Sequence, residues 1–559
     1  MQQGTLFDVP QTTMGPFAET IFKTKYALEL PASNGDGPRS ETWRETSERV
    51  SYSVLNRYFP GHIDTVTDLI ENRKFLPGGR YLYASGRKFP QTQNCLLLTV
   101  DDSREGWGDL MDRVVKGLMT GAGVGVVYSA LRGEGSKVNG LGGKSTGPLA
   151  LMNMVNEAGR HVMQGGSRRS AIWAGLHWNH PDVFKFCQAK DWSRAVRDLK
   201  EQDFSFPAPL DMTNISVILD TEFFEAYEND KSPMHSWAQD VYWTVVKRMC
   251  KTGEPGFSVD AFENEGENLR NACTEITSYD DNDICNLGSL NLANFTDKEE
   301  FAVAVEAATT FLLAGTLYST VPYEEVADTR EKNRRLGLGL MGIHEWLLMR
   351  DKPYGPDAEL EEWLKIYQDV SDRTAAEQSK RLGISAPVKV RAIAPTGTIA
   401  IIAETTSGIE PVFCAAFRRR YLKEKVWHAQ YVVDATAKRL VEQGVDPSCI
   451  EDAYDLAKDV KRRIKFQAWV QQYVDHGISS TINLPEWGSE HNNQDTVRKF
   501  GETLMTYLPQ LRGITTYPDG ARGGQPLTKI DLSEALDFEG IEFEEHGNEH
   551  SCVGGSCGI

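Results

Sequence analysis

From Cys95 onward, the chain alternates short apolar segments of strand length with longer segments in which apolar residues recur at helical spacing. Asn94–Val100 has the composition of a buried strand, and Trp107–Leu118 follows it with apolar residues at helical intervals. After glycine punctuation, Gly121–Tyr128 returns to strand character. This alternation predicts an α/β body, which we place at residues 89–532.

Two further regions flank this body. Residues 1–88 are predicted to be mainly helical, with prolines and glycines between Pro31 and Pro38. Residues 533–559 are acidic and poor in apolar residues, which predicts a flexible tail. Within the body, later strands are predicted at Val388–Ala394, Ile478–Leu484 and Gly513–Tyr517.

Composition and charge exclude several classes of protein. The fractions of hydrophobic residues (40%) and charged residues (25%) are those of an ordinary soluble protein. The net charge of −19 argues against broad binding to a nucleic-acid backbone, although small anions remain possible ligands. The most apolar stretch, Phe301–Val321, contains Glu306 and threonines, so we predict a buried helix rather than a membrane span. Nine cysteines are too few for a disulfide scaffold and no signal-peptide pattern is present, so we expect a reducing, cytoplasmic setting.

Two cysteines, Cys552 and Cys557, lie five residues apart within the last eight residues. A thiol pair on such a tether suggests a carrier that delivers two electrons to a pocket and is then reduced again. This interpretation requires a second thiol pair in the body of the protein.

The body holds seven other cysteines, and any one of them is most often a small buried apolar residue. Cys273 differs because Asn271 and Glu275 flank it at alternate positions. In an extended segment an amide, a thiol and a carboxylate would then share one face. Together they could bind hydroxyls, provide a sulfur centre and move a proton.

Asn271–Glu275, followed by Cys285–Ala293, resembles the catalytic finger-loop region of the ribonucleotide reductase large subunit. Further segments match that family in the family's order, and the resemblance runs from about residue 15 to the C-terminus. These segments are Asn94-Cys95, Gly121–Tyr128, Leu131–Ser136, Gln164–Ser170, Asn333–Gly342, Ala394–Ile399, Ser407–Pro411 and the cysteine tail.

The resemblance implies a ten-stranded α/β barrel with a central finger loop, and the reduction of ribonucleotides to 2′-deoxyribonucleotides. Cys273 would form a thiyl radical that removes the 3′-hydrogen of the ribose. Glu275 would accept the 3′-hydroxyl proton, and Asn271 would hold the ribose hydroxyls. Cys95 and Cys285 would reduce C2′ and become a disulfide. Cys552 and Cys557 would then reduce that disulfide by exchange.

Two nucleotide sites follow from the same resemblance. The turn of Pro395, Thr396, Gly397 and Thr398 would bind substrate phosphate through backbone N–H groups and hydroxyls, although alone it could be an ordinary strand-to-helix turn. Three charged residues would form a site for a deoxynucleotide or ATP effector, although each alone could be a solvated surface charge. They are Asp102, Arg132 and Arg168.

Gly337–Gly342 satisfies the G-x-G-x-x-G pattern of dinucleotide-binding proteins. It follows the charged run Glu331–Arg335 rather than a hydrophobic strand, and no convincing β-α-β unit surrounds it. We therefore predict close helix packing here instead of a nicotinamide site.

The strand Ile514–Tyr517 gives information about how the radical is generated. In class I large subunits two adjacent tyrosines relay the radical, and here threonine replaces the first of them. The resemblance therefore favours the class II enzymes, whose cofactor is adenosylcobalamin, and it implies no metal ligands from the protein. It implies thioredoxin or glutaredoxin as reductant. The short stretch from Cys95 to Arg132 has no room for a large insertion that would replace a dimer partner, which favours a homodimer over a monomer. Two alternatives stay open: a class I large subunit that needs a separate metal-containing subunit, and a non-catalytic nucleotide-binding paralogue.

Overall fold

The computed structural model describes residues 14–31, 37–138, 142–162, 170–203, 206–423, 426–442, 444–521, 527–538 and 541–544.

The N-terminal region is small and mainly helical, as predicted. A capping box begins its second helix, where Thr42 and Glu45 satisfy each other's backbone N–H groups. The apolar faces of these helices pack on the second half of the barrel. The elements are α1 (Pro16–Lys25), β1 (Glu29–Leu30), β2 (Arg39–Ser40), α2 (Trp43–Leu55), α3 (Ile63–Glu71), β3 (Phe75–Pro77) and α4 (Gly79–Ala84).

The first half of the barrel is a run of five parallel strands connected by helices. The strands are β4 (Cys95–Thr99), β5 (Gly123–Val127), β6 (Ile172–His177), β7 (Thr213–Asp220) and β8 (Gly256–Asp260). The helices are α5 (Arg104–Met119), α6 (Pro148–His161), α7 (Val183–Gln188), α8 (Arg194–Gln202), α9 (Thr221–Glu228) and α10 (His235–Thr252).

The rest of the chain begins with a short hairpin and contributes both the second half of the barrel and a separate four-stranded antiparallel sheet. The strands are β9 (Leu269–Arg270), β10 (Thr277–Ser278), β11 (Asp283–Asn291), β12 (Leu336–Met341), β13 (Ala416–Lys423), β14 (Val426–Val433), β15 (Thr481–Leu484), β16 (Gly513–Pro518), β17 (Leu527–Lys529) and β18 (Glu542–Glu544). The helices are α11 (Lys298–Tyr318), α12 (Glu324–Asn333), α13 (Ile343–Leu348), α14 (Ala358–Leu382), α15 (Ile399–Ala403), α16 (Ala435–Glu442), α17 (Ala453–Ala457), α18 (Val460–Gln471), α19 (Val497–Tyr507) and α20 (Leu532–Asp537). Short 3-10 helices lie at Pro60–His62, Phe262–Asn264, Leu292–Asn294, Pro447–Cys449 and Leu508–Gln510.

The central sheet closes into a barrel. Its strand order is β12-β11-β4-β5-β6-β7-β8-β16-β15, with β3 beside β11. The β11–β4 and β16–β8 pairs are antiparallel, so the two halves run in opposite directions. Between β12 and β15, Arg391 bridges to Leu338 and Ile393 bridges to Ile478, both in parallel. The predicted strand at Val388–Ala394 is thus the extended segment that completes a ring of ten, and the predicted fold class is confirmed.

Residues alternate between the barrel interior and the surrounding helices, as the period of two requires. On β4, Cys95 and Leu97 face the interior cluster, while Leu96 and Leu98 pack on the helices outside. Trp173 on β6 is the largest residue of the interior cluster and is fully buried. The barrel interior is therefore packed with side chains.

Helix α11 is long and apolar enough to cross a membrane by length and composition alone. Its most apolar 18-residue window is 72% buried inside the protein. It packs against α14 and β11 in the core around the N-terminal helices. It is a buried core helix, as the glutamate and threonines of its sequence predict.

Gly337–Gly342 corrects one prediction, because Leu336–Met341 is the barrel strand β12 and not a site of close helix packing. A Cβ at Gly339 would lie 2.5 Å from the carbonyl oxygen of Ala392 on the neighbouring segment. Glycine is needed at this position because the two strand segments approach each other closely. The charged residues before the strand give no sign of this approach.

The predicted flexible tail from residue 533 is also wrong for its first part. Most of Leu532–Asp537 and Glu542–Glu544 falls within that range, yet they form α20 and β18, and β18 pairs with β14 in a four-stranded antiparallel sheet. Phe538 and Phe543 pack their rings against Tyr431 of β14, with centroids 5.9 and 5.4 Å away. These two aromatic contacts order an acidic segment whose composition alone indicates disorder.

Candidate active site

The finger loop is the turn between β9 and β10, which pair antiparallel with Arg270 opposite Thr277. Its tip is tightened by a hydrogen bond from the Thr274 N–H to the Asn271 carbonyl oxygen at 3.0 Å. The loop presses directly on β5, because a Cβ at Gly125 would lie 1.7 Å from the Arg270 carbonyl oxygen. On the opposite side, the Gly477 N–H donates to the Glu275 carbonyl oxygen at 2.7 Å. Residues 271–276 thus lie inside the barrel, between its two halves.

A buried network of charges holds the base of this loop. Glu267 accepts from Thr277 of β10 at 2.9 Å, from Arg335 at 3.2 Å and from Arg512 at 3.4 Å, and it also pairs with Lys389. A carboxylate that bonds several cations is held firmly in a water-poor site. The network therefore anchors β10 to segments of the second half of the barrel.

His476 contributes to the same base as a neutral acceptor. Its Nδ1 accepts the Thr277 N–H at 3.2 Å. Burial, followed by the nearby Arg335 and other cations, holds the pKa of His476 well below its ordinary value. Because the ring stays neutral, it can accept this hydrogen bond over the whole physiological pH range.

Cys95 and Cys285 lie directly opposite each other in the antiparallel β4–β11 pair. Residues opposed in this way have Cα atoms about 4.5–5.5 Å apart, within the range of about 4.4–6.8 Å that a disulfide needs. Both are buried free thiols here. Burial raises the pKa of both thiols well above the ordinary value, so each is held as a thiol at neutral pH.

The finger loop brings three further predicted catalytic residues to this pair. Asn271 donates from Nδ2 to the Cys95 Sγ at 3.2 Å. After burial, the groups that raise the pKa of Cys95 are Glu275, Cys285 and Cys273, which places all four residues in one neighbourhood. Cys273 is half-buried near the loop tip. Five residues that span 190 positions of the sequence therefore meet at the barrel centre.

Glu275 has the properties of a proton acceptor poised near neutrality. It is 1% exposed, and neither carboxylate oxygen has a hydrogen-bond partner among the described residues. Burial raises the pKa of Glu275 from its ordinary 4.5 to about 7. A carboxylate with such a pKa can both take and return a proton at physiological pH.

The predicted phosphate-binding turn lies at the end of the closing segment 389–393 and leads into α15. Thr396 has a φ of +51°, a rare conformation for a β-branched residue and one that concentrates at functional sites. Its Oγ1 accepts from the Gly408 N–H at 2.9 Å. The N–H groups of Gly397 and Thr398 have no acceptor within the described part of the chain. Pro395 and Gly397 are exposed, so the turn can be reached by a ligand.

A cavity of about 610 Å³ opens at the C-terminal ends of β15 and β16. It lies at the same end of the barrel as the phosphate-binding turn and the N-terminal residue of β4, Cys95. Most of the exposed lining surface is apolar, although half of the lining residues are polar or charged. These residues are Lys458, Asn483, Glu486, Ser489, Glu490, His491, Asp519 and Lys529. Apolar surface with several polar groups is typical of a site for a large organic ligand.

Two of the three predicted effector residues, Asp102 and Arg132, are at the opposite end of the first half. Asp102 follows the C-terminal end of β4, and Arg132 follows that of β5. They form an ion pair of 2.7 Å between Arg132 Nε and Asp102 Oδ2, and both side chains are about one-third exposed. Arg168, Cys552 and Cys557 lie outside the described residues.

Sequence reasoning missed the residues that support the loop, namely Gly125, Gly477 and the network around Glu267. The glycines of Gly123-Val-Gly125 within a strand pattern were the one available signal, since an interior strand glycine often marks a close backbone approach. Buried ion pairs between distant segments leave no comparable signal in a single sequence.

A ten-stranded α/β barrel with one cysteine on its central loop, next to an opposed pair of cysteines, is the architecture of a barrel enzyme. A family profile for the ribonucleotide reductase barrel domain matches residues 93–235, 234–385 and 374–517. The chain belongs to the ribonucleotide reductase family.

The most similar relatives include cobalamin-dependent enzymes over nearly the whole chain. A vitamin B12-dependent ribonucleoside-diphosphate reductase of Mycobacterium tuberculosis is 26% identical, over 97% of this chain and 84% of its own length. A protein of Mycobacterium phage D29, assigned by name to the adenosylcobalamin-dependent ribonucleoside-triphosphate reductases, is 24% identical over 98% of this chain and 99% of its own length. A ribonucleoside-diphosphate reductase large chain of Cryptosporidium parvum is 27% identical over only 51% of this chain and 41% of its own length.

Proposed function

We propose that this protein reduces ribonucleotides to 2′-deoxyribonucleotides by a thiyl-radical mechanism, with adenosylcobalamin as the radical source. The observation that carries the proposal is the meeting of Cys273, Glu275 and Asn271 with the opposed pair Cys95 and Cys285 inside one barrel. The names of the full-length relatives support the choice of cofactor.

In this proposal each residue near the finger tip has a defined task. Cys273 removes the 3′-hydrogen atom of the ribose and returns a hydrogen atom at the end of the cycle. Glu275 accepts the 3′-hydroxyl proton, for which its pKa of about 7 is well matched. Cys95 and Cys285 supply two electrons and two protons, the 2′-hydroxyl leaves as water, and a Cys95–Cys285 disulfide remains.

The turn Pro395–Thr398 would hold the substrate phosphates. Its free N–H groups at Gly397 and Thr398, and the strained backbone of Thr396, support this role. The turn and the finger tip lie at the same end of the barrel, so a nucleotide could bind both.

The cavity at the ends of β15 and β16 fits a large cofactor with an apolar face. Its aromatic and aliphatic walls would contact a corrin ring or an adenosyl group, and Asn483, His491 and Tyr517 could bond to amide or hydroxyl groups. When bound, adenosylcobalamin supplies a carbon-centred radical by homolysis of its cobalt–carbon bond. The barrel interior excludes water around the sulfur that becomes the radical.

The test is turnover by the isolated polypeptide. Purified protein with adenosylcobalamin and dithiothreitol should convert a ribonucleotide to its deoxy form without a partner protein. The Cys273→Ala variant should bind nucleotide and show no turnover, whereas Cys449→Ser, at an exposed cysteine, serves as the matched control. Turnover only after addition of a metal-containing subunit would identify a class I enzyme, and full turnover by Cys273→Ala would exclude the assigned radical.

The remaining assignments concern partners and compartment. We propose that Cys552 and Cys557 reduce the Cys95–Cys285 disulfide and are themselves reduced by thioredoxin or glutaredoxin in the cytoplasm. The ion pair of Asp102 and Arg132, with Arg168, would bind a deoxynucleotide or ATP effector. A homodimer is also proposed, and the exposed methionines Met119 on α5 and Met154 on α6 offer it an apolar contact.

A further inference from the structure

Cys95 and Cys285 are opposed in register but have different hydrogen-bond partners. We infer that disulfide exchange at this pair has a fixed direction, in which an incoming thiolate attacks the Cys285 Sγ and Cys95 leaves as the thiolate. The inference rests on the proposed function, in which the pair becomes oxidised.

Cys95 receives a hydrogen bond whose donor is fixed by the fold. The Asn271 Oδ1 accepts the Ile276 N–H at 3.0 Å, so the Nδ2 group must be the end of the amide that faces Cys95. It donates to the Cys95 Sγ at 3.2 Å. A donor at this distance stabilises a sulfur anion more than a neutral thiol, because a hydrogen bond to a charged acceptor is the stronger one.

Cys285 has the opposite kind of partner. Its thiol donates to the Asn286 carbonyl oxygen at 3.3 Å, a contact that stabilises the thiol and would repel a thiolate. Asp283 lies two residues earlier on the same strand face, with Arg335 bonded to its carboxylate at 2.7 Å. Burial and Glu275 raise the pKa of both thiols, so these causes do not distinguish the two sulfurs. At Cys285, Asp283 raises the pKa further, whereas Arg335 and the Asn286 backbone lower it. The hydrogen-bond geometry does distinguish them, because the Cys95 sulfur accepts from the Asn271 side chain and the Cys285 thiol donates to a carbonyl oxygen.

In thiol–disulfide exchange the sulfur whose thiolate is better stabilised leaves faster. The incoming thiolate forms a bond to the Cys285 Sγ, and the bond between Cys285 and Cys95 breaks. Its electron pair goes to the Cys95 Sγ, which then takes a proton. A second thiolate of the same reductant attacks the reductant's own sulfur in the mixed disulfide. Cys285 is released and protonated, so the pair gains two electrons and the reductant becomes a disulfide.

The intermediate can be trapped in the full chain with Cys552→Ser and Cys557→Ser, so that only an added thiol attacks. The disulfide is formed by one turnover or, independently, by diamide, and peptide mapping verifies that it joins Cys95 and Cys285. After brief exposure to 2-mercaptoethanol, the protein is quenched in acid and alkylated with N-ethylmaleimide. Mass spectrometry should find the mercaptoethanol adduct on Cys285 and the maleimide on Cys95, in about tenfold excess over the reverse. Equal or reversed labelling overturns the inference.

A second measurement uses reduced protein and needs no disulfide. Iodoacetamide should alkylate Cys95 in the Cys285→Ser variant about tenfold faster than it alkylates Cys285 in the Cys95→Ser variant. Asn271→Ala in each background should remove the difference. Equal rates, including no measurable reaction at either sulfur, would overturn the inference. If diamide forms the disulfide but turnover does not, the proposed function fails while the direction of exchange is still measured.

Discussion

Glu275 occupies a position where a carboxylate is destabilised by its surroundings, since it is buried and its oxygens lack partners among the described residues. Its pKa is raised to about 7, so the folded protein binds this proton more tightly than the unfolded chain does. The stability associated with that proton is fully present below about pH 4.5 and is lost as the pH rises through 7. A residue kept for chemistry therefore reduces the stability of the fold at neutral and higher pH.

The Glu275→Gln variant tests how much the buried carboxylate lowers the stability of the folded protein at neutral and higher pH. We expect it to be more stable than the wild type by up to about 3 kcal/mol at pH 8 and equally stable at pH 4. It should have no turnover, because the amide cannot accept the proton. Urea denaturation at the two pH values measures the difference, and Glu228→Gln, at an exposed position, is the control. A difference that does not change with pH would contradict the raised pKa.

Gly125 tests the close approach of the finger loop. A Cβ at this position would overlap the Arg270 carbonyl oxygen, so Gly125→Ala must move the loop or the strand. We expect turnover to fall at least about a hundredfold, because misplaced reacting atoms lose about that much rate. Gly108→Ala, in α5 with nothing within 4 Å of the added methyl group, should keep full turnover. Steady-state kinetics and thermal melting of both variants measure the difference. A Gly125→Ala variant with full turnover would contradict the close contact between the finger loop and β5.

At the scale of elements, the finger loop depends on a buried network around the segment before β12. Arg335 of that segment pairs with Asp283 of β11 and with Glu267, and Glu267 accepts a hydrogen bond from Thr277 of β10. Arg335 is fully buried and bonds both Asp283 and Glu267, whereas Lys332 bonds Asp280 with 61% of its side chain exposed. Removing one partner of a buried ion pair leaves the other charge buried and uncompensated. Removing one partner of an exposed pair leaves a charge that water solvates.

We therefore expect Arg335→Ala to lower the free energy of unfolding by about 3–5 kcal/mol and Lys332→Ala by less than about 1 kcal/mol. The two residues lie three positions apart and pair with neighbouring carboxylates, so they form a matched comparison. Urea denaturation curves at one pH measure both. Equal losses would show that the network around Glu267 does not anchor the loop.

The elements themselves were predictable where local pattern decides them. β4, β5 and β16 follow apolar runs bounded by turn residues, and each was predicted within two or three residues of its observed bounds. β12 and β18 were missed because neighbours distant in the sequence decide them: the Ala392 backbone requires glycine in β12, and Tyr431 orders Phe543 in β18. A single sequence does not indicate which strands will be neighbours in the sheet.

At the scale of the whole molecule, the same limit applies to the site. The composition of Asn271–Glu275 indicates reactive chemistry, but the register that places Cys95 opposite Cys285 joins residues 190 positions apart. In the sequence, only the resemblance to a known family connects Cys95 with Cys285. The barrel creates the site by bringing two antiparallel half-barrels together, so that the first residues of β4 and β11 meet over the loop.

The electron path beyond the barrel gives the last prediction. Cys95 and Cys285 are buried, so a protein reductant cannot reach them directly, whereas a small dithiol needs far less space. If the cysteine tail carries the electrons, Cys552→Ser should lower thioredoxin-driven turnover at least about a hundredfold and leave dithiothreitol-driven turnover within about twofold, because a mixed disulfide then lacks its resolving thiol. Cys449→Ser, at an exposed cysteine outside the path, should change neither rate. A parallel loss with both reductants would mean that the tail is needed for the fold or the chemistry of the barrel, and that the buried pair is reduced by another route.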